Sequence, residues 1–375
     1  MIEYYILFGL IVVLGLIFEL KGWNQKKKAI YCIICGSLIC ALMFLRKYTG
    51  WDTNAYYGIY SNLASSKMSY LASQRLEKAF ALMYKAFSNF SFMTVTGQRV
   101  TSVVVAVLIT IQIYKYCDNP MLAFAGFIGS GALFMAMNYQ RQIIAMCIIG
   151  FSFVYIKRGE ILKFTMLVLL AATFHYSSLI VLPCYFIFKL PINKITTALY
   201  AFGTWLIFAY SETIFKYAMY YVDVLRFGIT YEFGVESYSF GAEMLGGVPS
   251  KYLFLLVGLC VLTAIFAKKL KEKNEYANVL IHFLFVTMFF EIIGVNHAYI
   301  SRFAITFMMP AFMVLSCGTC EIVTEKVGGI LKISQTKSKY IVYAVTLLLY
   351  ILMMTIMIKG VYNGCYPYMT VWDWR

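Results

Sequence analysis

The chain reads as an all-α polytopic membrane protein, and three features carry that reading. Of its residues, 62% are hydrophobic and only 13% are charged. The apolar residues fall in repeated continuous runs about as long as the roughly 20 residues a helix needs to cross hydrocarbon. The short alternating segments of a membrane barrel are absent, and in lipid a helix satisfies its backbone hydrogen bonds within its own segment. About ten transmembrane helices plus one re-entrant helical hairpin are expected, in a single integral membrane domain over 1–375.

The run 1–20 has no basic residue before its apolar core and is followed by Lys21, Lys26, Lys27 and Lys28. This predicts an uncleaved helix that starts outside and enters a cytoplasmic loop at 21–28. Helix 29–45 returns outward and places 46–98 outside. That segment opens on Leu45, Arg46, Lys47, Tyr48, Thr49, Gly50, Trp51, Asp52, Thr53, Asn54, Ala55 and Tyr56, which set cations, an acid and aromatics against the membrane surface. Residues 76–92 mix Glu77, Lys78 and Lys85 with Leu and Phe, the pattern of an amphipathic helix lying at the interface.

Span 97–114 leads inward to a loop at 115–120, and 121–137 leads out to Asn138, Tyr139, Gln140, Arg141 and Gln142. Span 143–156 returns to 157–163, which carries Lys157, Arg158 and Lys163. The stretch 161–190 has lysines at both ends, Lys163 and then Lys189 and Lys194, so parity predicts a broken hairpin whose tip is His175, Tyr176, Ser177 and Ser178. Non-helical backbone at depth is tolerated only beside protein or a water-filled cavity, so this tip is expected to line one. A single tilted span is the alternative. Spans 195–211, 252–267, 277–295, 303–320 and 340–358 complete the chain. They leave an external loop at 212–251, cytoplasmic loops at 268–276 and 321–339, and both termini outside.

The net charge of +15 would suggest nucleic acid for a soluble protein. Here lysine and arginine set orientation and meet anionic headgroups, and no nucleic-acid partner is expected. Nearly all of the ten cysteines lie within apolar runs as small packing residues, and no disulfide is expected. Lysines supply almost all the cytoplasmic charge. Arg46, Arg75, Arg99, Arg141, Arg226, Arg302 and Arg375 fall outside, and only Arg158 falls inside. Orientation needs cations within and does not explain arginines collected without. An anionic ligand does, because guanidinium presents a planar fork suited to bidentate recognition of phosphate. Pairing with external acids or lipid phosphate is the plainer alternative.

Arg46, Arg141 and Arg302 stand at helix mouths beside Asp52, Gln142 and His297 and are the candidates for one common anion site. His175, at the hairpin tip, is either a hydrogen-bonded core residue or a base, since ionisable groups at membrane depth are functional candidates. Trp51, Tyr56 and Tyr139 are candidates to stack on a ligand ring, or else interfacial anchors. No metal-ligand spacing occurs, so no metal site is expected.

RKYTGWDTNAY at Arg46 to Tyr56 resembles the first external loop of EpsG-type proteins, which are Wzy-like polymerases of bacterial exopolysaccharide and capsule. RQIIA from Arg141, FHYSSLI from Phe174, SRF from Ser301 and YPY from Tyr366 follow in the family's order. Lys47 is a departure, and 212–251 has no matching motif. The resemblance implies a GT-C-like membrane glycosyltransferase of the bacterial cytoplasmic membrane. Such an enzyme joins undecaprenyl-diphosphate-linked oligosaccharide repeats at the outer face, needs no cofactor, and works beside other exopolysaccharide-assembly proteins. On that reading Arg46, Arg141 and Arg302 bind the diphosphate, and His175 or Asp52 is the general base. Trp51, Tyr56, Tyr139, Gln142 and His297 contact the substrate. A lipid-linked oligosaccharide flippase, a polysaccharide acyltransferase and a polysaccharide ligase are the alternatives.

Overall fold

The computed structural model describes residues 2–67, 76–88, 97–214, 217, 250–295, 298–314, 318–360 and 364–370, and every regular element among them is helical. Two long helices open the chain, α1 (Ile2–Leu20) and α2 (Gln25–Leu45); Asn24 caps the second by accepting from the Lys27 amide. Short α3 (Thr53–Ser65) and α4 (Lys78–Phe87) precede the long α5 (Gly97–Tyr116). Next come α6 (Pro120–Gly129), α7 (Ala132–Asn138), α8 (Gln140–Ile149) and α9 (Phe153–Arg158). Then α10 (Ile161–Ala172) runs through a 3-10 turn (Tyr176–Ile180) into α11 (Val181–Ile187). The remaining helices are α12 (Lys194–Ala209), α13 (Ser250–Lys273), α14 (Ala277–Ile293), α15 (Ala298–Val314), α16 (Cys320–Leu331) and α17 (Gln335–Lys359).

The outer helices divide their apolar residues between two environments. On α1, Ile2, Ile6, Leu10, Val13 and Ile17 are exposed at helical spacing while Tyr4, Leu7, Phe8 and Ile11 are buried. On α17, Ile341, Val345, Leu348 and Leu352 form a similar outward stripe. Water rarely meets so continuous an apolar face, whereas lipid suits it. Five described helices are long and apolar enough to cross a membrane: α1, α2, α5, α13 and α17. They become six if the bent pair α6 and α7 counts as one span.

The interior differs from the expected series of full spans. Expected span 121–137 bends by 58° between α6 and α7, where Gly131 adopts φ +87° and interrupts the helical ladder. Expected span 143–156 is divided by a turn at 150–152. These short helices are the core: every residue of α6 and α7 is buried, and on α8 only Arg141 is not. A helix apolar all round needs neighbours on every side, and α1, α5, α10, α15 and α17 supply them.

The 161–190 stretch folds back on itself. Phe164, near the start of α10, packs with its ring centroid 5.1 Å from that of Tyr185 of α11, and a side chain at Gly159 would lie 3.7 Å from the Lys189 ammonium. At the bend His175 has extended backbone. Residues near lysine-bearing helix ends also meet: Lys339 pairs with Glu19, Lys273 bridges Glu321 and Glu325, and Lys271 donates to the Ile192 carbonyl.

Gly131→Ala should lower stability by about 2 kcal/mol, because a side chain there is strained at positive φ and meets the buried Met357 sulfur at 2.0 Å. Gly258→Ala, with nothing within 4 Å, should leave stability unchanged or slightly raised. Thermal unfolding of the purified variants in detergent compares the two.

Candidate active site

The loop following α2 is held from both sides. On one side the C-terminal tail pairs with it: the Lys47 amide donates to the Met369 carbonyl at 2.8 Å, the Gly50 amide donates to the Gly364 carbonyl at 2.9 Å, and Arg46 and Thr370 form an antiparallel bridge. Tyr4 and Tyr368 tie the same tail to helices by donating to the Cys365 and Leu42 carbonyls, each at 2.6 Å. On the other side the Asp52 amide donates to Asn138 Oδ1 at 2.9 Å, at the end of α7. Residues more than 300 positions apart thus fix the entry to α3.

Asp52 stands at the N-cap of α3, but its side chain makes no capping bond. Its carboxylate instead feels the charges of Arg302 and Arg141. Burial pushes the carboxyl above its ordinary range, and the two guanidinium charges oppose that rise only in part. Arg302, near the N-terminal end of α15, lies over the Tyr139 ring at 5.1 Å, and its carbonyl accepts from Gln142 Nε2. Two arginines from separate helices therefore lie within electrostatic reach of one half-buried carboxylate, with Tyr139 and Gln142 packed beside Arg302.

The residue that organises the other half of the site is Glu77, at the entry to α4. Its side chain is 4% exposed and binds two partners at once: Oε2 meets Arg141 Nη1 at 2.6 Å and Oε1 meets His175 Nδ1 at 3.0 Å. Burial alone would raise this carboxyl, but the hydrogen bond from His175 and the charge of Arg141 outweigh it and hold the group at about 2. A buried carboxylate that keeps its charge locks both partners in place. Because Nδ1 faces the acid, His175 presents Nε2 on the opposite edge of the ring. The Ala79 amide, donating to the Thr173 carbonyl at 3.1 Å, joins α4 to the same bend.

The other expected site residues are distributed differently. Arg46 is fully buried, and its guanidinium nitrogens have no hydrogen-bond partner. It lies among Tyr4, Tyr57, Tyr60 and Cys365 rather than beside Asp52. Tyr56 is 6% exposed, stacked on Tyr60 at 5.9 Å and hydrogen-bonded to Arg141, so it braces the arginine from inside. Trp51 packs over Gly364 in the tail and keeps part of its ring exposed. His297 lies outside the described residues. His282 is a packing residue, bonded to Tyr200 and the Leu190 carbonyl. The nine described cysteines form no disulfide, and no cluster of three metal-ligating side chains occurs among the described residues. Sequence reasoning missed Glu77, which read as one more charge on an interfacial helix. Its only signal was being an acid in a segment whose polar residues otherwise had no assigned partner.

Glu77→Ala leaves Arg141 and His175 without their shared acid and should cost about 3 kcal/mol. The carboxyl sits below its ordinary 4.5 in the folded protein, so its contribution is full above that pH and is lost as pH falls towards about 2. Melting curves in detergent should show a constant gap between wild type and variant near neutrality, narrowing below pH 4.5.

No curated protein and no solved structure matches the chain. The sequence does match the model of the EpsG family over residues 28–370, nearly its whole length. The match takes in the loop after α2, the tail that pairs with it, Arg141, the His175 bend and Arg302. EpsG is a family of Wzy-like polymerases, and this chain belongs to it.

Proposed function

We propose that the protein polymerises undecaprenyl-diphosphate-linked oligosaccharide repeats into exopolysaccharide or capsule, at the outer face of the bacterial cytoplasmic membrane. The observation that carries the proposal is Glu77 bound at once to His175 and Arg141, with Asp52 and Arg302 adjoining. An anion-binding pair and an oriented imidazole in one place suit a reaction in which an anionic group leaves while a hydroxyl loses its proton.

In this reading the lysine-bearing ends face the cytoplasm, and both termini and the arginine cluster face outward. The carrier's isoprenoid tail lies in lipid, and its diphosphate meets Arg302 and the unspent donors of Arg141. The acceptor sugar hydroxyl attacks the anomeric carbon: a new carbon–oxygen bond forms, the bond to the diphosphate oxygen breaks, and the leaving group takes the electron pair. His175 Nε2 receives the hydroxyl proton, and Glu77 stabilises the imidazolium through Nδ1. The arginines act most strongly as charge develops on the departing diphosphate, where one well-placed donor is typically worth about 3 kcal/mol. Glu77 fixes Arg141, Gln142 fixes the Arg302 backbone, and the Asp52 carboxylate adds a negative charge within reach of both.

His175→Ala should lower the joining rate roughly a hundredfold or more. Arg141→Lys keeps the charge but loses the planar fork, so polymer should shorten sharply at normal protein level. Lipid-linked products extracted from cells carrying each variant should contain accumulated single repeat units. Full-length polymer from either would remove that residue from the chemistry. Loss of outward exposure of the repeat unit in a deletion strain would instead identify a flippase.

A further inference from the structure

A second compartment, which the chemistry above does not use, lies on the other side of the Tyr56 and Tyr60 stack. It is a half-open cavity of about 640 Å³ between α3, α4 and the start of α5, within the roughly 300–1,000 Å³ of small-molecule sites. Four tyrosines wall it: Tyr48, Tyr57, Tyr60 and Tyr84. Tyr48 meets Tyr57 edge to face at 5.7 Å, and Tyr60 meets Tyr84 at 4.2 Å. The deeper pair is fixed by hydroxyl contacts, with Tyr60 bonded to Tyr84 at 2.8 Å and to Gln140, and Tyr84 to Thr101 at 2.7 Å. Gly97 makes room for them, since a side chain there would strike both rings at about 2 Å. Ser61 and Ser65 add hydroxyls to the wall.

One further feature marks the cavity's mouth. Tyr48 holds φ +53°, a left-handed conformation that is unfavourable for a bulky aromatic and persists mainly where the surroundings enforce it. The result is a half-exposed ring at the cavity mouth. Behind the wall, the fully buried Arg46 guanidinium lies beside Tyr57 and Tyr60 and does not line the cavity. Aromatic faces alternating with hydroxyls suit a ligand with apolar faces and polar edges. The one cation of the lining, Lys47, lies over the Tyr48 ring at 5.2 Å, and Phe87 and Val100 add apolar surface to the wall.

The geometry points to a saccharide-binding subsite in this tyrosine chamber, separate from the arginine cluster, which holds sugar rings of the growing or incoming glycan. The assignment rests on the proposed function only for which glycan it is. Tyr48→Gly and Tyr57→Ala each remove one ring at the open end. The probe is a phosphate-free oligosaccharide fragment of the producing strain's own polysaccharide, titrated calorimetrically into the full-length protein in detergent.

Both variants should weaken fragment binding tenfold or more. Tyr48→Gly should melt no lower than wild type, since glycine relieves the strained φ, so its loss of binding reports the ring and not the fold. Arg141→Lys should bind the fragment as wild type does. Undiminished binding by both ring variants, or no binding by wild type, overturns the subsite and leaves polymerisation standing if His175→Ala still accumulates single units. Fragment binding lost only in the ring variants, together with normal polymer from His175→Ala, supports the chamber and sinks the proposed chemistry.

Discussion

Everything at the candidate site depends on one buried carboxylate being held charged. Glu77 is almost completely withdrawn from solvent, and an isolated ion there would be expelled or neutralised. It stays ionised because a guanidinium and an imidazole reach it from two other parts of the chain. The three residues belong to α4, α8 and the bend after α10, none of which neighbours another in sequence. Each partner is oriented by the need to satisfy the same acid, so this pairing ties three elements together and aims two functional groups.

The scaffold makes that arrangement possible by sacrificing regularity. Long helices with outward apolar stripes form the periphery, while the interior is a succession of short helices buried almost without exception. Each break between short helices ends a hydrogen-bonded ladder and begins another. Such ends are where polar side chains concentrate. The junction of α7 and α8 carries Asn138, Tyr139, Gln140, Arg141 and Gln142 in succession, and Asp52 and Arg302 lie at or near the N-terminal ends of α3 and α15. The C-terminal tail completes the enclosure by pairing with the loop after α2.

Two compartments result, separated by the stack of Tyr56 on Tyr60. The arginine side is charged and suits an anion whose charge grows during reaction. The tyrosine side is aromatic and hydroxylated and suits neutral rings. Tyr56 touches Arg141 while Tyr60 is bonded to Gln140 and Tyr84, so the wall between the compartments is a rigid hydrogen-bonded element. In the proposed reaction this would hold leaving group and sugar in a fixed relation, which is where much of the rate of a two-substrate reaction originates.

The helical class, the apolar periphery and the motif stretches were legible in the sequence by itself, because hydropathy and backbone satisfaction in lipid act on local runs of residues. The fold-back at His175 agrees with the hairpin expected from lysines at both ends of 161–190, rather than with a single tilted span. The breaks inside 121–137 and 143–156 were not legible, because uniformly apolar residues suit a short buried helix as well as a long span. Nor was the division of the arginines, with Arg141 on Glu77, Arg302 over Tyr139 and Arg46 among tyrosines. That division and the role of Glu77 depend on which side chains meet across more than sixty residues of chain. Only tertiary packing decides such meetings, because the free energy of a buried charge is set by the partners around it and not by its neighbours in sequence.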